Sequence, residues 1–255
     1  MIPNAQDRRI ALRQAAQRLA GFGRLAHADL DAIEHLPSEL AVRRRGEDAP
    51  APGVHLIVSG WACKMRPVAD GQRQIFVFLL PGDFTGSFRS KSDSTFYQTV
   101  ALTRLETLDM TPLIAPTPSG ALALPSVAKA GLALEDEAQG LIFDHMVRLG
   151  ARDAYSGLAD LLMELKERLA RYGRVNEDGA FTLPIGQRVL AHALGVSVVH
   201  INQTLKRLAA DGLIEVDGAS VRLVDPQRIA ALAGFSAPPN RNANAKARER
   251  MGEDA

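Results

Sequence analysis

The chain is poor in cysteine, with Cys63 as its single thiol among 255 residues. One thiol excludes an internal disulfide, a cysteine-only zinc site and a cysteine-ligated iron–sulfur cluster within one chain, and it favours the reducing cytoplasm. The sequence also lacks an apolar run near the roughly 20 residues that span a bilayer. Its first residues, MIPNAQDRRIALRQ, lack the apolar core of a signal peptide. We therefore expect a cytoplasmic protein with no membrane partner.

A strong net charge is absent too, because the formal net charge is +1 at pH 7. This balance excludes a generally basic coat for nucleic acid, so any contact with DNA must be local. The sequence contains no P-loop, no zinc signature and no convincing Ser-His-Asp or His-Cys grouping. We predict no enzymatic activity and no bound cofactor or metal. The length favours two domains.

Hydrophobic patterns divide the first half of the chain. Apolar residues recur at helical spacing over residues 6–36, where two glycines separate two helices. From Val42 to Met110, period-two segments such as VHLIV, WACKM and QIFVFLL alternate with Asp-Gly and Pro-Gly-Asp turns. This pattern is typical of an antiparallel sandwich or barrel. Residues 85–96 are polar and lack periodicity, which predicts a loop or a short helix.

The thiol lies within one of these strands. Alternation places Cys63 on the same face as Trp61, and it places Ala62 and Lys64 on the opposite, outward face. No neighbouring base or second cysteine would activate the thiol. We interpret Cys63 as a buried structural thiol, with a redox sensor as the less favoured alternative.

A boundary follows at residues 111–125, which contain four prolines. From Ser126 to Leu149 a three-four spacing of apolar residues predicts one long helix. The stripe comprises Leu134, Ala138, Leu141, Ile142, His145, Met146 and Leu149. Packing against a second copy and packing against the chain's own barrel would both give this stripe. Gly131 and Gly140 each cost roughly 1 kcal/mol in a helix interior, so a continuous helix needs a close contact that offsets the cost.

Residues 186–211, GQRVLAHALGVSVVHINQTLKRLAAD, are the most informative stretch. The spacing of their apolar residues predicts two short helices packed across each other. The inward residues are Leu190, Ala191, Leu194, Val196, Ile201, Leu205 and Leu208. Gly195 would close the first helix in the left-handed conformation, and Ser197 would cap the second. Two strands at 213–216 and 220–224 add a hairpin, so the pattern indicates a winged helix-turn-helix.

The order of these elements resembles the Crp/Fnr superfamily of bacterial transcription regulators. The resemblance rests on GWACKMRPVADGQRQIFVFLLPGDFTG at residues 60–86 and LPIGQRVLAHALGVSVVHINQTLKRLAADGLI at 183–214. It implies an α+β fold with an N-terminal antiparallel, jelly-roll-like β-roll, a long dimerisation helix and a C-terminal winged helix-turn-helix. The implied parts are a β-roll sensor domain with N-terminal helices at 1–124, a dimerisation helix at 125–152, a DNA-binding domain at 153–235 and a disordered tail at 236–255. Gly150 to Asp153 would form the hinge between the second and third parts.

Departures from the family pattern bear on the effector. Members that bind cyclic AMP carry Gly-Glu just after the PGDF turn and Arg-Ser about ten residues later. This chain has Gly86-Ser87 and, at about the second place, Thr95-Phe96. Because a buried phosphate would then lack its bidentate arginine, we expect an effector other than cyclic AMP. The candidates for contact with an anionic effector are Arg66, Arg73 and Arg89.

Other sensor types lack support in the sequence. The oxygen-sensing branch of the family needs a set of N-terminal cysteines that this chain does not have. His27, His35 and His55 show no recognisable pattern of haem ligands. We interpret them as surface or helix-end histidines.

The resemblance also assigns candidate DNA contacts. It implies that Val199, Asn202 and Gln203 face base edges. Glutamine pairs most naturally with adenine, and valine can contact only an apolar group such as the thymine methyl. The candidate phosphate contacts are Ser197, His200 and Lys206, while Arg207 is balanced between phosphate contact and surface ion pairing.

The predicted function is that of a sequence-specific, homodimeric transcription regulator whose roll responds to an unidentified small-molecule effector. Its implied partners are double-stranded DNA with a near-palindromic operator, a second copy of the chain, and RNA polymerase. The alternative is an effector-binding or protein-docking module with a vestigial DNA-binding domain.

Overall fold

The computed structural model describes residues 5–68, 71–88 and 96–234. Within these ranges the chain forms seven α-helices and ten β-strands, and every pair of neighbouring strands is antiparallel. The fold is therefore α+β, as predicted. The predicted tail at 236–255 lies outside the described residues. None of the described helices is long and apolar enough to cross a membrane.

Two helices precede the roll, and they are α1 (Ala5–Ala20) and α2 (His27–Glu34). Seven strands follow. They are β1 (Leu40–Arg43), β2 (Val54–Ser59), β3 (Ala62–Pro67), β4 (Arg73–Leu79), β5 (Phe84–Gly86), β6 (Gln98–Ala101) and β7 (Leu105–Asp109). One sheet has the order β1-β7-β2-β5 and the other the order β4-β3-β6. The period-two pattern of the sequence thus predicted the antiparallel roll.

Side chains on successive strand positions enter different buried layers. Leu56 and Leu108 pack with α1, α2 and the first turns of the helix that follows the roll. Ile57 and Leu105, on the opposite face of the same sheet, pack against Ala62 of the other sheet. Both faces of the first sheet are therefore covered, which explains the five successive buried residues of β2.

The surroundings of Cys63 correct one expectation. Cys63 and Trp61 share a face, as predicted, and this face packs against helices of the C-terminal half. Ala62 lies on the opposite face, but that face is the interior of the roll, and the residue is fully buried. Alternation predicted the face of Ala62 correctly, whereas the expectation that this face is outward was wrong.

The long helix, α3 (Pro125–Ala151), is continuous. A Cβ atom on Gly131 would lie 2.0 Å from the ring of Phe88, so the glycine lets the helix approach the chain's own roll. Leu141 and Ile142 also pack against the roll. Part of the predicted stripe is therefore intrachain packing. The helix continues through Gly150 and ends before Arg152, whose backbone is extended.

The C-terminal half begins with Asp153, whose side chain caps the next helix by accepting a hydrogen bond from the backbone N–H of Ser156 at 2.8 Å. The elements that follow are α4 (Ala154–Ala170), β8 (Ala180–Thr182), α5 (Gln187–Leu194), α6 (Val198–Ala210), β9 (Ile214–Asp217), β10 (Ser220–Leu223) and α7 (Pro226–Ala233). Strand β8 pairs with β10, so the wing sheet has three strands in the order β8-β10-β9. The sequence predicted β9 and β10 but not β8.

A chain of buried charges joins α3 to α4. Arg148 of α3 donates from Nε to Asp160 at 2.9 Å and from Nη2 to Glu164 at 2.8 Å. Its Nη1 lies 3.1 Å from Nδ1 of His145. Burial, followed by the positive charge of Arg148, lowers the pKa of His145. The histidine is therefore neutral at pH 7, and its Nδ1 accepts the hydrogen bond from the guanidinium.

The same chain of charges continues into the roll. Arg168 of α4 donates to Glu164 at 2.8 Å and to Asp83 at 2.6 Å. Asp83 belongs to the Pro-Gly-Asp turn between β4 and β5, and it also accepts from Arg18 of α1 at 2.7 Å. The series Arg148–Glu164–Arg168–Asp83–Arg18, called the ion-pair chain below, therefore connects four parts of the fold.

Glycine at the centre of that turn is required for two reasons. Gly82 has a φ of 91°, and a Cβ atom there would lie 2.2 Å from the ring of Tyr172. The Tyr172 hydroxyl donates to the Gly82 carbonyl at 3.1 Å. The PGDF turn thus docks onto the end of α4.

Replacement of Arg168 by methionine should lower the free energy of unfolding by roughly 3–5 kcal/mol, because Glu164 and Asp83 would lose a buried partner. Burial raises the pKa of both carboxyls, but Arg168 and a second arginine outweigh it and hold each pKa below its ordinary value. The stability that they contribute is full above the ordinary values of 3.8 and 4.5 and is lost as the pH falls through the lower folded-state values. Denaturant titration at pH 7 and pH 3 measures both effects.

The matched control is Arg222→Met, which removes an exposed ion pair with Glu215. It should change the free energy of unfolding by less than about 1 kcal/mol. Equal losses in the Arg168 and Arg222 variants would contradict a structural role for the ion-pair chain.

Cys63 should resist thiol reagents in the folded protein. Burial raises the pKa of its thiol to about 12, and the nearby Arg73 offsets only part of this effect. Since only the thiolate reacts, a disulfide reagent at pH 8 should label the native chain very slowly and the unfolded chain rapidly. A Cys63→Ala, Ala209→Cys variant, with the thiol at an exposed position of α6, provides the fast-reacting control. Rapid native labelling of Cys63 would instead support a redox role.

Candidate nucleic-acid interface

Helices α5 and α6 form the predicted helix-turn-helix. Gly195 closes α5 with φ of 65°, and its backbone N–H donates to the carbonyl of Ala191. Ser197 caps α6, its Oγ accepting a hydrogen bond from the backbone N–H of His200 at 3.1 Å. Both local predictions are confirmed. The two helices cross because their apolar faces share one core with α4 and the wing.

The outer side of α6 brings most of the predicted contact residues together. Val199 is 67% exposed, and His200, Gln203 and Lys206 are also exposed. Residues 199, 203 and 206 are spaced by four and three, so they lie on one side of the helix. Within the described residues, no hydrogen bond or ion pair engages the side chains of Gln203 and Lys206. This surface carries short polar groups, one apolar group and a cation.

Asn202 lies at the edge of this surface and is half-buried. Its Nδ2 donates to Oε1 of Gln187 at 3.2 Å. Gln187 is the first residue of α5 and follows the N-cap, Gly186. Sequence reasoning missed Gln187, because a contact across 15 residues depends on how the two helices cross.

The side chain of Arg207 contacts other residues of the same domain. Its guanidinium lies 4.4 Å from the centre of the Tyr155 ring, and its Nε lies 3.9 Å from a carboxylate oxygen of Asp211. Tyr155 also donates to Asp211. These contacts favour the ion-pairing interpretation of Arg207 over phosphate contact.

The helix-turn-helix and the wing, from β8 to β10 at residues 180–223, are called the reading unit below, and this unit is docked on the roll. Helix α5 packs against β4, and Nε2 of Gln74 donates to the carbonyl of Ala193 near the end of α5 at 3.2 Å. The space between β4, α3 and α4, lined in part by His145 and Glu164, has a volume of only about 10 Å³. Such a space holds about one water molecule, so it does not accommodate a small-molecule effector.

Candidate effector residues on the roll are only partly described. Arg66 and Arg73 are exposed, whereas Arg89 and Thr95 lie outside the described residues. His55 corrects an expectation, because it is buried in β2 and its Nε2 lies 3.2 Å from the carbonyl of Pro52. His27 and His35 are exposed, as predicted. No group of three or more metal-binding side chains occurs in the part of the chain that the structure describes.

Comparisons with known proteins agree with this geometry. Residues 158–232 match the family model of the Crp-like helix-turn-helix domain. The transcriptional activatory protein AadR of Rhodopseudomonas palustris is 30% identical over 228 residues, which cover 86% of this chain and 91% of that protein. The nitrogen fixation regulation protein FixK of Bradyrhizobium diazoefficiens is 30% identical over 167 residues, which cover 64% of this chain and 67% of that protein.

A solved structure extends the similarity to the fold. FixK2 from Bradyrhizobium japonicum superposes with a TM-score of 0.66 and 25% identity, over 79% of this chain and 100% of that one. The match covers the whole of that structure, and AadR is named as a transcriptional activatory protein. The chain therefore belongs to the Crp/Fnr family and is a DNA-binding transcription regulator of that type.

Proposed function

We propose that the protein acts as a homodimer that places two α6 helices in successive major grooves of a near-palindromic operator. Two-fold symmetry then sets the half-sites about 34 Å apart. The observation that carries this proposal is the exposed polar surface of α6, held by a capped helix-turn-helix beside a three-stranded wing.

Each residue of that surface receives a role. Gln203 pairs with adenine, and Val199 contacts a thymine methyl group. His200 and Lys206 contact phosphates, and Ser197 offers its hydroxyl and the N-terminus of α6 to a phosphate. Asn202 faces a base edge. Many members of the resembled family carry glutamate and arginine where this chain has Val199 and Gln203, so the preferred half-site differs from theirs.

The dimer forms through α3. Three of its exposed apolar side chains are Phe143, Met146 and Val147, which are 63%, 61% and 53% exposed. Gly140, Phe143 and Val147 are spaced by three and four, and a Cβ atom on Gly140 would meet no other atom within 4 Å. A second copy would cover this stripe. This exposed stripe differs from the one predicted from the sequence, because Leu134 and His145 of the predicted stripe are buried within the chain.

The roll, within residues 1–124, senses a signal other than cyclic AMP and biases the setting of the DNA-binding part at residues 153–235. The ion-pair chain provides the coupling, because it joins the roll turn at Asp83 to α4 and α3. The chain leaves the helical conformation at Arg152 and Asp153, so these residues form the hinge. We place the protein in the cytoplasm, with RNA polymerase as a further partner.

Replacement of Gln203 by alanine should lower affinity for the selected operator by about 1–3 kcal/mol and relax one base position.

Lys206→Ala should weaken binding to all sequences alike and reduce the salt slope by about 1, because one phosphate contact is lost. Selection from random duplexes, followed by titration at several salt concentrations, measures both effects.

Lys129→Ala serves as the control, since this exposed lysine lies in the first turns of α3, remote in the chain from the reading helix. It should leave both quantities unchanged. An unchanged base preference in the Gln203 variant would show that the orientation assigned to α6 is wrong. Selection of no duplex by the native protein would favour a vestigial DNA-binding domain.

Phe143→Asp should convert the dimer into monomers, because a carboxylate would be desolvated at the centre of the stripe. Sedimentation equilibrium measures the shift in mass, and operator affinity should fall with it. Phe96→Asp is a matched control, as Phe96 is 77% exposed but lies in the roll. A Phe143→Asp protein that remains dimeric would contradict the assigned interface.

A further inference from the structure

Helix α5 contributes a side chain that contacts the edge of the polar surface of α6. Gln187 is half-buried at the first position of α5, and its Oε1 accepts the hydrogen bond from Asn202 Nδ2 at 3.2 Å. The contact joins the two helices on the side where the polar surface of α6 begins. Neither residue belongs to the apolar core that holds the helices together.

An asparagine reads adenine through one edge of its amide. Oδ1 accepts from the adenine N6 amino group, while the Nδ2 hydrogen on the same edge donates to N7. The second Nδ2 hydrogen points away from that edge and is the one available to Gln187. The bond to Gln187 therefore leaves the adenine-reading edge of Asn202 complete.

The bond also restricts the orientation of the Asn202 side-chain amide. Rotation of Asn202 by 180° about its last torsion would place Oδ1 against Oε1 of Gln187, so the hydrogen bond would survive only if the Gln187 amide rotated as well. A side chain held in one orientation loses less conformational entropy on binding DNA.

We propose that Gln187 is a positioning residue that orients the amide of Asn202 and thereby makes its base position specific for adenine. This inference rests on the proposed role of α6 in reading DNA. Gln187 acts through Asn202 and contributes no base contact of its own.

Two substitutions of Gln187 distinguish an effect on the orientation of the Asn202 amide from an effect on packing. Gln187→Met keeps a side chain of similar length but removes the acceptor. Gln187→Glu keeps the acceptor and adds a negative charge near DNA, so it should preserve base preference while weakening binding to all sequences. A purely structural role for Gln187 would not alter the preference at a single base position.

The experiment begins with selection of duplexes from a random pool by the native protein. The position that Asn202→Ala relaxes identifies the base read by Asn202. Competition binding then compares adenine with each other base at that position, for the native protein, the two Gln187 variants, Asn202→Ala and the Gln187→Met, Asn202→Ala double variant. Affinity for an unrelated duplex provides the control for general effects.

The native protein should prefer adenine by about 5- to 150-fold at this position. Gln187→Met should reduce this preference at least threefold, Gln187→Glu should retain it, and Gln187→Met should have no further effect in the Asn202→Ala background. Full adenine preference in Gln187→Met, or a base other than adenine at this position, overturns the inference and leaves the proposed function intact. Selection of no duplex by the native protein overturns the proposed function itself.

Discussion

The buried ion-pair chain from Arg148 to Arg18 is the constraint on which the arrangement of the molecule depends. Three arginines and two carboxylates alternate along it, and each buried charge has an opposite charge within 3 Å. A buried charge without its partner is costly, so a displacement of α4 relative to the roll must break several contacts together. The roll turn, α1, α3 and α4 therefore have one preferred arrangement relative to one another. The turn that carries Asp83 thus holds the roll against α1 and α4.

The position of the reading unit on the roll follows from this arrangement of the helices. Helix α4 brings α5 against β4, where Gln74 bonds to Ala193 and the apolar face around Cys63 and Trp61 continues into the core of the C-terminal half. One hydrophobic cluster thereby extends from the roll to the wing. A signal that moved the outer face of the roll would act on the helix-turn-helix through packed side chains rather than through the hinge alone.

Much of the reading unit could be predicted from the sequence, because its determinants are local. A glycine in the left-handed conformation, a serine cap and a three-four spacing define two helices and the side of α6 that faces outward. Relations between distant residues could not be predicted in this way. The partners of Asp83 and Gln187 depend on how helices cross, and the burial of Ala62 depends on the second sheet that covers it. Strand β8 was missed because three residues carry too little alternation.

Strand β8 also links two parts of the reading unit mechanically. Val221 of β10 lies opposite Phe181, and the backbone N–H of Leu183, just beyond β8, donates to the carbonyl of Ala219 in the hairpin turn at 2.7 Å. Only a few residues separate this anchor from the first turn of α5. A displacement of the wing is consequently transmitted along the backbone to the start of α5. The positions of the wing and of the first helix of the helix-turn-helix are therefore coupled through a strand of only three residues.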